Sequence, residues 1–140
     1  MKEKIKELVK ILDENNFSVV GYDNGKIVSS EKKGVAPLLD FYKQNHVNMI
    51  CCDKVVGKAA AIMHILLGSK YLHCHIISQK AIDILDKYGM QYSYDTKVDY
   101  ILNRRKSGMC PLEKATEKCE DVNQGYKIII ETLNQLNSGK

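Results

Sequence analysis

The sequence predicts an α/β fold, a three-layer α/β/α sandwich around a mixed sheet, and three observations predict it. FSVVGY and KIVSS, both β-prone, flank Asp23-Asn24-Gly25, a strong hairpin signal because both central turn positions tolerate positive φ. VNMICCD and YLHCHII are short, apolar and bounded, as strands buried on both faces are. Each is followed by a helical pattern, and strand, helix, strand, helix implies a right-handed parallel crossover. A sheet that joins a hairpin to buried parallel strands needs helices on both faces.

The elements follow in order. Residues 2–14 place Ile5, Leu8, Val9 and Leu12 on one helical face, and Asn15-Asn16 stops the helix before the hairpin. Gly34 breaks the chain. Pro37 then suits the first turn of a helix whose apolar face is Leu38, Leu39, Phe41 and Tyr42. After VNMICCD, the stretch KVVGKAAAIMHILLG reads as a helix apolar nearly all round, closed by Gly68. After YLHCHII, Ser78 caps SQKAIDILDKYG, which Gly89 ends. QYSYD adds a short strand, and VDYILN is ambiguous between an extended edge and a helical turn. The loop RRKSGM leads to a short helix from Pro111 and a final amphipathic helix from Asp121 through Ile128, Ile129, Leu133 and Leu136. Residues 1–137 form a single domain, with 138–140 as a tail.

Bulk composition narrows the function classes. The apolar fraction of 44% supports a real core, and the net charge of +4 is too small and dispersed for a duplex-binding surface. Nucleic acid is therefore a minor reading. No apolar run is long enough to span a bilayer, and MKEKIKELVKIL lacks the apolar core of a secretory signal, so a cytoplasmic protein without membrane attachment is expected. The five irregularly spaced cysteines, Cys51, Cys52, Cys74, Cys110 and Cys119, read as reduced thiols.

Three stretches could carry chemistry. In CCDKVVGKAAA a buried strand ends at Asp53 and passes into a helix, which is where open α/β sheets bind ligands. Asp53 would cap that helix, and its free N–H groups, with Lys54 and Lys58, would receive an anion. The plainer account is an N-cap with solvated lysines. In NRRKSGMCPLEKATEKC, Pro111 at the first helical position puts Cys110 at the cap. There the helix end and Arg104, Arg105 and Lys106 favour thiolate, the state of a nucleophile or redox group. Against that, no base is adjacent, and Glu113 would oppose ionisation if it turned back to the sulfur; a structural cap is the simpler reading. Cys119, nine residues on, would lie about 13 Å away along a helix, beyond disulfide reach. In His73-Cys74-His75 a strand turns both imidazoles to one face, but a metal needs a third ligand and no carboxylate or cysteine motif is positioned to give it. His46 and His64 have no distinguishing context.

Together, DKVVGKAAA (Asp53 to Ala61) and NRRKSGMCPLE (Asn103 to Glu113) resemble an uncharacterised prokaryotic family of small proteins with a cytidine-deaminase-like fold, across nearly the whole chain. The resemblance implies the fold and no established activity. Zinc deaminases use a His or Cys two positions before a catalytic Glu, and a Pro-Cys-x-x-Cys segment. This sequence has neither, so no zinc, no other cofactor and no zinc-dependent deamination are expected. The expected function is binding of a small anionic or nucleotide-like ligand in a deaminase-type crevice by Asp53, Lys54, Lys58, Asn103, Arg104 and Glu113. The alternatives are a metal-independent enzyme or redox protein using Cys110, and a structural or interaction protein that forms a homo-oligomer through the apolar helix from Val55 to Leu67.

Overall fold

A computed structural model describes residues 2–102 and 108–138, with side chains through Leu136. The chain runs α1 (Lys2–Glu14), β1 (Val19–Asp23), β2 (Lys26–Ser30), α2 (Ala36–Lys43), β3 (Ile50–Val56), α3 (Lys58–Leu66), β4 (Tyr71–Ser78), α4 (Gln79–Lys87), β5 (Tyr92–Val98), α5 (Pro111–Ala115) and α6 (Val122–Ser138). The strands form one five-stranded mixed sheet in the order β2-β1-β3-β4-β5. β1 is antiparallel to both β2 and β3, whereas β3, β4 and β5 are parallel.

Local chemistry accounts for most of the boundaries. Asn24 and Gly25 take positive φ in the hairpin, and Asn16, Gly68 and Gly89 do so beyond α1, α3 and α4. Pro37 and Pro111 stand in the first turns of α2 and α5. The Ser78 hydroxyl accepts from the Ala81 N–H and caps α4, while Asp121 Oδ1 accepts from the N–H groups of Asn123 and Gln124 at the start of α6. The ambiguous VDYILN stretch finishes β5 and then lets Leu102 bridge antiparallel to Met109.

Consecutive residues of β3 serve different cores. Cys52 packs with Leu8, Leu12 and Val20 under α1, and Cys51 belongs to the larger core built from α2, α3, α4 and α6. Successive side chains of a strand point to opposite faces, so the two cores lie on opposite sides of the sheet. Two expectations are corrected. β3 does not stop at Asp53: the β-branched Val55 and Val56 continue the ladder, opposite Ile76 and Ile77, and α3 starts only at Lys58. The second concerns the apolar helix itself: Ala59 through His64 are buried within this chain, whereas Val55 is exposed and Ile65 and Leu66 are partly buried.

Candidate functional site

The two stretches singled out in the sequence do meet, at a contact between Gly57 and Glu113. Glu113, on α5, is only 3% exposed. Its Oε2 accepts from the Lys58 backbone N–H at 2.6 Å, and its Oε1 accepts from the Ser78 hydroxyl at 2.8 Å. One buried carboxylate therefore faces the N-termini of both α3 and α4, where unpaired N–H groups and the helix dipoles favour negative charge. Gly57 makes the approach feasible, since a Cβ there would overlap the Glu113 carboxylate. The anion expected at the start of α3 is thus supplied by the protein itself. Glu113 does not turn back to Cys110.

Asp53 and Lys54 do not join Lys58. Asp53 points from the middle of β3 under α3, where its Oδ2 lies 2.9 Å from His64 Nε2. It is an interior partner and not an N-cap, because α3 begins five residues later. His64 is completely buried, and its Nδ1 is without a hydrogen-bond partner among the described residues; the Cys51 thiol is its neighbour. Burial is the largest influence and works against a charged imidazole there, but Asp53 and Cys51 together outweigh it and raise the His64 pKa to about 9. Lys54 donates to Asn16 Oδ1 at 2.6 Å, away from α3. The sequence reading missed His64; the available signal was a single polar residue inside an otherwise apolar helix. Although Cys51, His64 and Asp53 fall in the order of a nucleophile, a base and an orienting acid, Cys51 and His64 have no exposure to solvent.

Lys58 instead opens onto a depression of about 370 Å³ between the start of α3, α4 and the α5–α6 connection. Lys58, Lys80, Lys87 and Lys118 line it, opposed by Asp83, Glu117 and Glu120, with Cys119 in its wall. Lys58 is 6% exposed, and its Nζ donates to the Glu117 carbonyl at 2.9 Å. Burial lowers its pKa. Cys110 stands at the N-cap of α5, half-buried against the large core, with its N–H donated to the Ile101 carbonyl. It does not line the depression. α5 ends at Ala115, so a single helical rise does not separate Cys110 from Cys119; all five cysteines are free. Asn103, Arg104, Arg105 and Lys106 lie outside the described residues.

The His73-x-His75 pair does have carboxylate company, contrary to the sequence expectation. Asp95 of β5 lies 3.3 Å from His73 Nε2 and 2.6 Å from His75 Nδ1, and Asp13 of α1 lies 2.9 Å from His75 Nε2. Neither acid adjoins the histidines in sequence; the parallel pairing of β4 with β5 delivers one and the end of α1 the other.

A family model described as TM1506, domain of unknown function (DUF1893), matches residues 7–133. The crystal structure of a DUF1893 family protein (TM1506) from Thermotoga maritima is similar to this chain, with a TM-score of 0.88 and 27% sequence identity. The match covers 94% of this chain and 90% of that one. No curated protein matches. No helix among the described residues is long and apolar enough to cross a membrane.

Proposed function

The chain belongs to the DUF1893 family, a domain of unknown function, and from that premise we propose that it binds a small anionic or nucleotide-like ligand, without zinc, in the depression beside the start of α3. We read the fold around it as a cytidine-deaminase-like three-layer sandwich, in which the carboxyl ends of β3 and β4 frame the crevice. Lys58 carries the reading. A buried ammonium, held by one carbonyl among the described residues and weakened as a cation by burial, gains most from an anion in the adjoining space. Lys80, Lys87 and Lys118 would supply further charge from the rim, and Asp83, Glu117 and Glu120 would select against a fully ionised polyanion. Glu113 has the role of holding α5 and both helix starts in place, and Asp53 acts at one remove, through His64.

Two observations favour this reading over an enzyme built on Cys110. The sulfur is not in the wall of the depression, and the hydrogen bond that anchors Cys110 is made by its backbone N–H. The test is native mass spectrometry of purified protein for a copurifying small molecule, followed by thermal-shift titration with inorganic phosphate and with AMP. Wild type should be stabilised and K80A/K118A and K58M much less so. Absence of stabilisation by either anion, or equal stabilisation of all three proteins, would reject the reading.

A further inference from the structure

On the opposite side of the sheet from the lysine depression, four titratable side chains from three elements converge without any part in the reading above. His73 and His75 stand two residues apart on β4, so both imidazoles share one face, while Cys74 between them is buried in the core of the other face. In-register pairing of His73 with Ser93 and of Cys74 with Tyr94 carries Asp95 alongside. One ligand atom from each of His73, His75 and Asp95 lies within 4.8 Å of the others. Donor atoms around a tetrahedral zinc ion, each about 2.0–2.2 Å from the metal, stand roughly 3.3 Å apart, so only small side-chain adjustments separate this arrangement from a coordination shell.

A second observation bears on the same conclusion. The nitrogen of each imidazole that faces away from this shared space is already held. The Ser93 hydroxyl is 2.7 Å from His73 Nδ1, and Asp13 Oδ1 is 2.9 Å from His75 Nε2. Metal-binding histidines have this arrangement, in which the ring nitrogen not used by the metal bonds to a carboxylate, a hydroxyl or a carbonyl that fixes tautomer and ring orientation. His73 is thereby left with Nε2 directed to Asp95, and His75 with Nδ1. His73 and Ser93 also line a depression of about 490 Å³ together with Tyr71 and the α1 residues Lys2, Ile5 and Lys6.

We infer that His73 Nε2, His75 Nδ1 and the Asp95 carboxylate form a binding site for one divalent transition-metal ion, with Ser93 and Asp13 as its outer partners. Two nitrogens and one oxygen suit zinc and its first-row neighbours better than magnesium or calcium, which take oxygen ligands. Three protein ligands leave coordination positions to water or to a donor atom of a small molecule. The expectation of no metal rested on a missing third ligand, which β5 provides.

The test uses the full chain, stripped with a chelator and titrated calorimetrically with ZnCl₂, and separately with CoCl₂ followed by absorption. The expected result is one equivalent of zinc, with affinity reduced at least tenfold in H75A and in D95N, and about 10- to 100-fold in D13N, which removes only an outer partner. Cobalt should give visible d–d bands without a strong near-ultraviolet thiolate band. These side chains are partly exposed, so the variants should melt close to wild type; D95N keeps the imidazoles and serves if H75A fails to fold. Absence of binding would overturn the inference and leave a plain charge network. A thiolate band, or undiminished binding by H73A/H75A, would overturn it as well by assigning the metal to cysteines.

Discussion

Replacing Glu113 by alanine should cost this protein a large share of its stability, and the loss can be worked from its two contacts. Each is a charge-assisted hydrogen bond to a buried donor, worth about 1.5–3 kcal/mol, and the truncation leaves the Lys58 N–H and the Ser78 hydroxyl facing a vacated space. Water entering that space would recover part, so E113A should lose about 3–5 kcal/mol, against a total of roughly 5–15 kcal/mol for a domain. E113Q should lose only about 1–2 kcal/mol. Its oxygen can still accept from Lys58, and its amide can donate to Ser78 Oγ, which has a second lone pair beyond the one used by Ala81; what disappears is the charge at two helix starts and the acceptor of the Ser78 hydroxyl proton. G57A should itself cost at least about 1–3 kcal/mol by overlap with the carboxylate. In the E113A background most of that penalty should vanish, leaving the tight approach to Ile101 Cγ1 at 3.0 Å. Urea unfolding followed by circular dichroism, with m-values compared, reads all four corners of this cycle. An E113A protein within 1 kcal/mol of wild type, or strictly additive G57A and E113A, would refute the two-helix clamp.

Three other outcomes are expected. The His64 imidazole should stay protonated through pH 8 by NMR: its folded pKa of about 9 exceeds the ordinary 6.5, so its stabilising contribution is complete below 6.5 and is lost as pH rises through 9. Titration near 6.5, or a D53N protein with the same curve, would contradict this. Native alkylation mapped by mass spectrometry should modify Cys110 first, since Cys51, Cys52 and Cys74 have no exposure and burial pushes the Cys52 thiol up to about 12; early labelling of Cys74 would be inconsistent with the packing. G125A should destabilise by about 1 kcal/mol, because a Cβ on this α6 glycine meets Ile62 Cδ1 of α3 at 2.7 Å in a fully buried site and the displaced side-chain tip more than offsets the roughly 0.5–1 kcal/mol that alanine gains over glycine in a helix; an unchanged or raised melting temperature would show that Ile62 or α6 shifts freely.

Much of the fold was legible because it is encoded locally. The Asn24-Gly25 turn, the Ser78 cap, the prolines at helix starts and the glycines at helix ends each act within a few residues, and the order of elements follows from them. The site was harder to read because its contacts are long-range. Glu113 reaches Lys58 across 55 positions, and His75 reaches Asp13 across 62; periodicity assigns a residue to a face but does not say what stands opposite. The start of α3 was misplaced for the same reason. Asp53 has the right chemistry for a cap, so local reasoning put the helix behind it, whereas the group that satisfies the Lys58 N–H comes from a later helix. His73 and His75 were read correctly as sharing a face, and only the strand register could show the acid beside them.

Burial alone does not fix the alignment of α3. Ala59, Ala60, Ala61, Ile62 and Met63 are buried in succession, so hydrophobic burial alone would tolerate the helix turned about its axis or slid by a turn. Two of its polar contacts do not tolerate it. Rotation would strand the Asp53 carboxylate without His64, and sliding would take the Lys58 N–H off Glu113, each leaving a buried group whose charge is uncompensated. The competing packings are thereby raised in energy more than the native one is lowered. In a helix with so little surface pattern, these two contacts act like the pins of a lock, excluding wrong alignments that the apolar core would otherwise accept.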